Sequence, residues 1–395
     1  MNLSNSLVVQ EQPTPQAVSG DSTRFGTRSN PDPIHAVDIP SLTGIRGILA
    51  LWVVVYHFWP DFLALFPVCD ILTPIIGKGH FAVPAFFILS GIVLAHNYRH
   101  FARVQTRYVV AGFLVKRLAR IYPVHFVSLL VVLAMVLVSR NRGWSITDSG
   151  YTFKDFVLNL FLVHTWVPHF SLNWNYPSWS ISSEWFVYLL FCPLMFVCYR
   201  LSNRMVWFAL ALSIAGTLVI YYSPKETWFR ELLCVVPTFT WGAVFVYAWT
   251  AQQNLKLPRV LGAIAQRLAI IPVAFVLASC FMPSPYYSGC LLLSLGFLLM
   301  SLYVAGTGVT GVYDLLSVKF LGEVSYSLYM THTLAQKTLY QLLPSGSYVD
   351  SALYVKLVVA FAYFSLILSL TLMMYYLVER PARRWNWKPP YWAER

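Results

Sequence analysis

Apolar runs of membrane-crossing length recur about ten times along this chain. They fall at residues 42–58, 81–98, 119–138, 184–200, 205–223, 231–250, 261–282, 286–305, 318–340 and 353–378, the ninth being the most polar. A segment in hydrocarbon must satisfy its own backbone N–H and C=O groups, so each run predicts a helix. The expected fold is an all-α polytopic membrane helix bundle of about ten transmembrane helices. Residues 1–40 are polar, rich in Ser, Pro, Gln and Thr, and lack the apolar core of a signal peptide. They read as a disordered cytosolic tail. Residues 41–388 then form the transmembrane domain and 389–395 a short cytosolic tail.

Composition agrees with this pattern. The 395 residues are 57% hydrophobic and 11% charged, where soluble domains carry about 25% charge. The net charge of +12 is distributed by side. With a cytosolic N-terminus, the inside segments hold 20 of the 28 Lys and Arg, which places both termini in the cytoplasm. No nucleic-acid motif accompanies the charge, so the basic groups point to membrane lipids and not to nucleic acid. The six cysteines show no C-x-x-C or zinc spacing. They read as small core residues, and no metal site is expected.

Two ionisable residues interrupt the first run, SLTGIRGILALWVVVYHF (41–58): Arg46 and His57. Intramembrane charge is costly and usually functional. Eleven residues at about 100° each return the helix to within about 20° of one face, with about 16 Å of rise between the two side chains. That lane suits a long ligand held at an anionic end by a guanidinium and at a reactive end by an imidazole.

Four further motifs carry polar chemistry. In GHFAVPAFFILSGIVLAHNY (79–98), Ser90-Gly91 permits close backbone approach, either for ordinary packing or beside a ligand. In FLVKRLARIYPVHF (113–126), Lys116, Arg117 and Arg120 are either topology anchors for lipid phosphates or a polyphosphate site. In NWNYPSWSISSEWFVY (173–188), Ser182 or Ser183 caps a helix with Glu184 in its first turn, or Glu184 is a carboxylate at membrane depth. There it would pair with Arg46 or His57, or orient an acceptor hydroxyl. In and just after FLGEVSYSLYMTHTLAQ (320–336), Tyr326, Tyr329 and Tyr340, with His332, line one side of a cavity, or His332 is a satisfied core histidine. The loop before Ser183 adds Trp144, Tyr151, Trp166, His169, Trp174, Tyr176 and Trp179. Such aromatics form either an interfacial belt or flat faces for sugar rings.

Together these segments resemble the acyltransferase-3 family of membrane O-acyltransferases, from about Leu42 to Trp385. Arg46 with His57 eleven positions on is the most specific part. FFILSGIVL (86–94), FLVKRLARIYPVHF, WSISSEWFVY (179–188), FLGEVSYSLYMTH (320–332) and VERPARRW (378–385) follow in the family's order. The resemblance implies an enzyme of the bacterial inner membrane that moves an acyl group from cytosolic acyl-CoA, most often acetyl-CoA, to an acceptor hydroxyl. The expected acceptor is a saccharide or lipid-linked saccharide. It implies catalytic roles for His57, Arg46 and Glu184. Arg46, Lys116, Arg117, Arg120 and Ser90 are expected to hold the cofactor. Trp174, Trp179, Ser180, Tyr326, Tyr329 and His332 are expected to meet the acceptor. His57 acts either as general base or as acyl carrier. The competing readings are a transporter or flippase of a lipid-linked sugar or small acid, and a non-catalytic scaffold. The absence of a half-to-half repeat counts against the first, and the aligned Arg46 and His57 count against the second.

Overall fold

The computed structural model describes residues 39–98, 107–142, 150–168, 172–223, 230–251, 260, 264–265, 270–283, 286–306 and 316–384. Both expected tails, Trp144 and His169 lie outside these residues. The described chain is helical, without a strand among the described residues. Helix α1 is Pro40–Leu65; short 3₁₀ and α turns lead to α2, Ala82–Tyr98. Then come α3 (Arg107–Arg142), α4 (Phe153–Leu160), α5 (Ser178–Arg200), α6 (Asn203–Tyr222) and α7 (Arg230–Ala251). The chain continues with α8 (Ile270–Cys280), α9 (Tyr287–Ala305), α10 (Leu316–Leu342) and α11 (Leu353–Met374). It ends on a π turn, Tyr375–Glu379, and α12, Arg380–Arg384.

Among the described residues, eight segments are long and apolar enough to cross a membrane. They are the runs built on α1, α2, α3, α5, α6, α7, α9 and α11. The expected span 318–340 lies in α10, which has the length but not the apolarity. The expected span 261–282 is represented by the eleven residues of α8.

Contacts between helices fix their relative directions. Arg46 bonds to Gly322, His57 to Gln336, and Asp61 to Ser345. Both sets of numbers rise together, so α1 and α10 run parallel. Phe81 packs on Tyr287 and His96 on Tyr303, so α2 and α9 also run parallel.

Glycine sets the closest approaches. A Cβ on Gly322 would lie 2.0 Å from the Thr43 carbonyl oxygen, and one on Gly47 2.6 Å from the Gly322 nitrogen. The α1–α10 backbones therefore touch at the level of Arg46. The expected close approach at Gly91 is also present, since its Cβ would meet the Phe239 oxygen at 2.2 Å. Both are backbone obstacles that cannot swing aside. Gly322→Ala is expected to cost about 1–3 kcal/mol by overpacking. Gly112→Ala is the control, because that Cβ meets nothing within 4 Å and a helical alanine gains up to about 1 kcal/mol over glycine. Thermal unfolding of the two purified variants should move in opposite directions.

Two of the sequence expectations about helix ends change. Helix α5 begins at Ser178 after Pro177, without a side-chain cap. Ser182 and Ser183 are buried inside the helix and do not cap it. The Ser182 hydroxyl donates to the Leu162 carbonyl at 2.8 Å, and Ser183 donates to Thr165 at 3.3 Å. Leu162 holds a left-handed backbone, φ 55°, which presents that carbonyl. Helix α3 begins at Arg107, so the basic motif lies about three turns inside it.

Candidate active site

A cleft with about 840 Å³ of atom-free space, its mouth included, opens between α1, α2, α3, α5 and α10. On α2 its walls run from Leu94 to Val83, eleven positions, or about 16 Å of helix rise. One end is cationic: Arg46, Arg117 and Arg120 all line it. The Arg46 Nε donates to the Gly322 carbonyl at 3.3 Å, a bond that depends on the glycine contact of α1 and α10. Arg117 donates to the Tyr98 hydroxyl at 3.1 Å, and its buried Nε has no hydrogen-bond partner among the described residues. Arg120 forms no hydrogen bond or salt bridge among the described residues.

Lys116 does not belong to the cleft. It is exposed and absent from the walls. At about 100° per residue, Arg117, Arg120 and Ile121 share one helical face, and Lys116 is turned about 90° from its centre. Arg383 takes a place the sequence reading did not give it. It pairs with Glu379 at 3.4 Å and lies within electrostatic reach of Arg120. Glu379 is 1% exposed, and its second oxygen accepts from the backbone and hydroxyl of Ser327 at 3.2 and 2.6 Å. Their i,i+4 spacing in VERPARRW was the available signal.

Midway along the cleft, Glu184 Oε1 accepts from the Ser90 hydroxyl at 3.1 Å and from the Tyr188 hydroxyl. These contacts replace the expected pairing with Arg46 or His57. Oε2 has no partner among the described residues. Tyr188 was not singled out in the sequence, although it stands four residues from Glu184 on the same face of α5. Tyr326 also lines the cleft and donates to the Ile121 carbonyl.

Ser180, Phe86 and Tyr329 line the cleft away from Leu94. The Ser180 hydroxyl donates to the Pro177 carbonyl at 2.9 Å, so the Tyr329 hydroxyl is the donor in its own 2.9 Å bond to Ser180. His57 is not among the lining residues. Its ring centroid is 5.0 Å from that of His332 and 5.4 Å from that of Tyr176. His332 is fully buried, and its Nδ1 lies 2.5 Å from the Tyr329 carbonyl. A carbonyl only accepts, so Nδ1 carries the proton, and Nε2 is a lone pair without a partner. Arg46 and His57 thus share a helix and both face α10, yet only Arg46 lines the cleft.

The two tryptophans expected to meet the acceptor are packed elsewhere. Trp174 is 4% exposed, donates to the Thr152 carbonyl at 3.1 Å and stacks edge-on to Tyr151 and Phe156. Trp179 is partly buried against the main core. Beneath them, Ser178 bonds to Asn159 at 3.0 Å, and the Asn159 carbonyl meets His125 Nε2 at 2.8 Å. His164, 3.4 Å from Ser178, is driven down to a pKa of about 3 by burial and then by the charge of His125. That network fixes the start of α5 with neutral groups.

The acyltransferase-3 family model, described as an acyltransferase domain, matches residues 39–377. The chain belongs to that family, and it is an acyltransferase with membrane-spanning helices. Acyltransferase MdmB of Streptomyces mycarofaciens is 29% identical over 329 residues, covering 76% of this chain and 79% of its own. ORF330 of Acidianus two-tailed virus, whose name proposes an acetyltransferase, is 26% identical over 76% of this chain and 84% of its own. SACOL0978 of Staphylococcus aureus strain COL, whose name proposes an O-acetyltransferase, is 22% identical over 89% of this chain. The aligned region spans 59% of that longer relative. No solved structure matches the chain.

Proposed function

We propose that this protein is an O-acyltransferase of the bacterial cytoplasmic membrane, taking acetyl or another short acyl group from acyl-CoA to a hydroxyl of a saccharide or lipid-linked saccharide. The observation that carries the reading is the cleft itself. Its walls carry three guanidiniums, a carboxylate whose second oxygen has no partner among the described residues, and Tyr329, whose ring lies 5.8 Å from that of His332, itself 5.0 Å from His57. Guanidiniums hold phosphates by charge-assisted, often bidentate bonds. Arg46, Arg117 and Arg120 would take the nucleotide end of coenzyme A from the cytosol. The pantetheine arm runs along α2 past Ser90 and Glu184, whose free oxygen accepts an amide N–H. The parallel pairs α1–α10 and α2–α9 support ten crossings, since consecutive spans alternate in direction. A crossing between α7 and α9 is then needed, where α8 stands.

In this reading the Tyr329 ring, held by Ser180 at 2.9 Å, separates the cleft from His57, and transfer requires it to leave Ser180. His57 takes the proton of the acceptor hydroxyl while its oxygen attacks the thioester carbonyl. The C–S bond breaks, the coenzyme A thiolate leaves and is protonated, and an ester remains on the acceptor. Purified protein given acetyl-CoA should release free thiol, and Arg46→Ala should release none at the same donor concentration. Movement of a sugar across proteoliposomes without any thiol release would sink the reading in favour of a transporter.

A further inference from the structure

His332 is a buried titratable group that the acyltransferase reading leaves without a task. It stands on α10 with no exposed surface, its ring centroid 5.0 Å from that of His57 and the two ring planes 36° apart. Its Nδ1–H is bonded to the Tyr329 carbonyl, one turn back on the same helix. That bond fixes the tautomer. It leaves Nε2, at the tip of the ring, as a lone pair with no hydrogen-bond partner among the described residues. A buried acceptor without a donor costs about 1–3 kcal/mol, and in a native structure it points to a functional group.

The surroundings single out His57 as the group that this lone pair serves. The hydroxyls nearest in sequence on α10 are committed elsewhere. Tyr329 donates to Ser180 at 2.9 Å, Thr331 to the Ser327 carbonyl at 2.8 Å, and Thr333 to the Asn175 side-chain oxygen at 3.2 Å. Tyr329, His332 and Gln336 share one face of α10 by their spacing of three and four. Gln336 holds the backbone of the His57 turn, donating to its carbonyl at 3.0 Å, while His332 stands against the His57 ring. Tyr56 and Tyr176 meet that ring edge to face, with centroids at 5.1 and 5.4 Å. Asp61, one turn further along α1, accepts from Ser345 at 2.7 Å.

A general base must aim its lone pair at the proton it takes, and the N–H on its other nitrogen sets that aim. We propose that His332 is the positioning residue of His57: its Nε2 accepts the His57 N–H, directly or across one water, and so turns the opposite His57 nitrogen toward the acceptor hydroxyl. The inference rests on the acyltransferase reading and changes the role expected of His332, which serves the base and does not meet the acceptor. His57 begins with one proton, bonded toward His332. It takes a second from the acceptor as the ester bond forms and the C–S bond breaks, and passes one to the coenzyme A thiolate. His332 keeps its single proton on Nδ1 throughout. A neutral orienting group avoids a second charge at membrane depth. The Tyr329 ring can leave Ser180 without releasing His332, because the carbonyl that fixes His332 belongs to the α10 backbone.

The test uses purified full-length protein in nanodiscs and thiol release from acetyl-CoA. His332→Leu removes the acceptor at similar volume. It is expected to lower kcat by about 10²-fold while the acetyl-CoA KM stays within about twofold. His332→Gln, whose amide oxygen can take the N–H, is expected to be at least about tenfold faster than His332→Leu. NMR of protein labelled at the histidine ring nitrogens, with His57 assigned from His57→Ala, should show one His57 tautomer in the wild type and a mixture in His332→Leu. A purely structural role would lower the thermal midpoint, move KM together with kcat and leave Gln no better than Leu, and that result overturns the inference. A His57 tautomer that is the same with and without His332 also overturns it. So does a loss in Asp61→Asn with none in His332→Leu, which gives the orienting role to Asp61. Thiol release that is abolished in His57→Ala but intact in His332→Leu overturns this inference alone. No thiol release by the wild type under any condition overturns the acyltransferase reading, and this inference falls with it.

Discussion

His57→Ala is expected to lower acyl transfer by at least about 10³-fold while leaving the affinity for acyl-CoA within about twofold. General acid–base catalysis alone contributes about 10²–10⁴, and a covalent role would only enlarge the loss. The separation of the two effects follows from geometry. His57 is not on the wall of the cleft, which Ser180 and Tyr329 do line. The contact that ties this turn of α1 to α10 is made by the His57 backbone carbonyl, which accepts from Gln336 at 3.0 Å and survives the substitution. The cavity left by the ring faces His332 and Tyr176, not the cationic end. Equilibrium binding of a non-hydrolysable acyl-CoA analogue and steady-state thiol release, measured on the same preparation, read the two quantities. A tenfold loss of donor affinity in His57→Ala would place the imidazole inside the donor site and remove the separation by Tyr329 from the mechanism. Persisting transfer would remove His57 from the chemistry.

The parts of this site that the sequence reveals are those fixed by one helix. Arg46 and His57 share a lane because the α-helical repeat dictates it, and both do face α10. Ser90, Arg117, Arg120, Glu184, Ser180, Tyr326 and Tyr329 meet in one cleft, as their polar character in apolar runs suggests. The helical repeat also separates Lys116 from Arg117, a distinction that listing basic residues together overlooks. Other features depend on tertiary packing and leave no local mark. Trp174 has the composition of a sugar platform, yet it fills a corner against Tyr151 and Phe156, while Tyr176, two residues on, keeps an open face. Nothing along the chain shows that His332 will sit against His57, 275 positions away. The serines before Glu184 read as helix N-caps, but Pro177 and Ser178 start the helix earlier and turn Ser182 and Ser183 into buried ties to the loop before it.

The second large effect is expected from the cationic end. Arg117→Ala combined with Arg120→Ala should weaken acyl-CoA binding by about 10²–10⁴-fold, since each charge-assisted bond to phosphate is worth about 1.5–3 kcal/mol. Stability should not fall with it. Arg120 has no hydrogen-bond or ion-pair partner among the described residues, and Arg117 meets only neutral groups there, the Tyr98 hydroxyl and the Tyr98 and Phe113 rings. Arg383, already paired with Glu379, adds like charge beside Arg120. Two partly buried guanidiniums without anions are a cost to the empty protein, which truncation relieves. The thermal midpoint of the double variant without ligand should therefore equal or exceed that of the wild type, while the rise in midpoint on adding acyl-CoA shrinks by the amount its weaker binding dictates. Lysine at both positions keeps the charge but loses the fork, and is expected to recover part of the affinity. Salt separates the cases further: screening weakens wild-type binding more than that of the double variant. A double variant that unfolds at lower temperature without ligand, with donor affinity intact, would make these arginines structural and leave coenzyme A without its anchor.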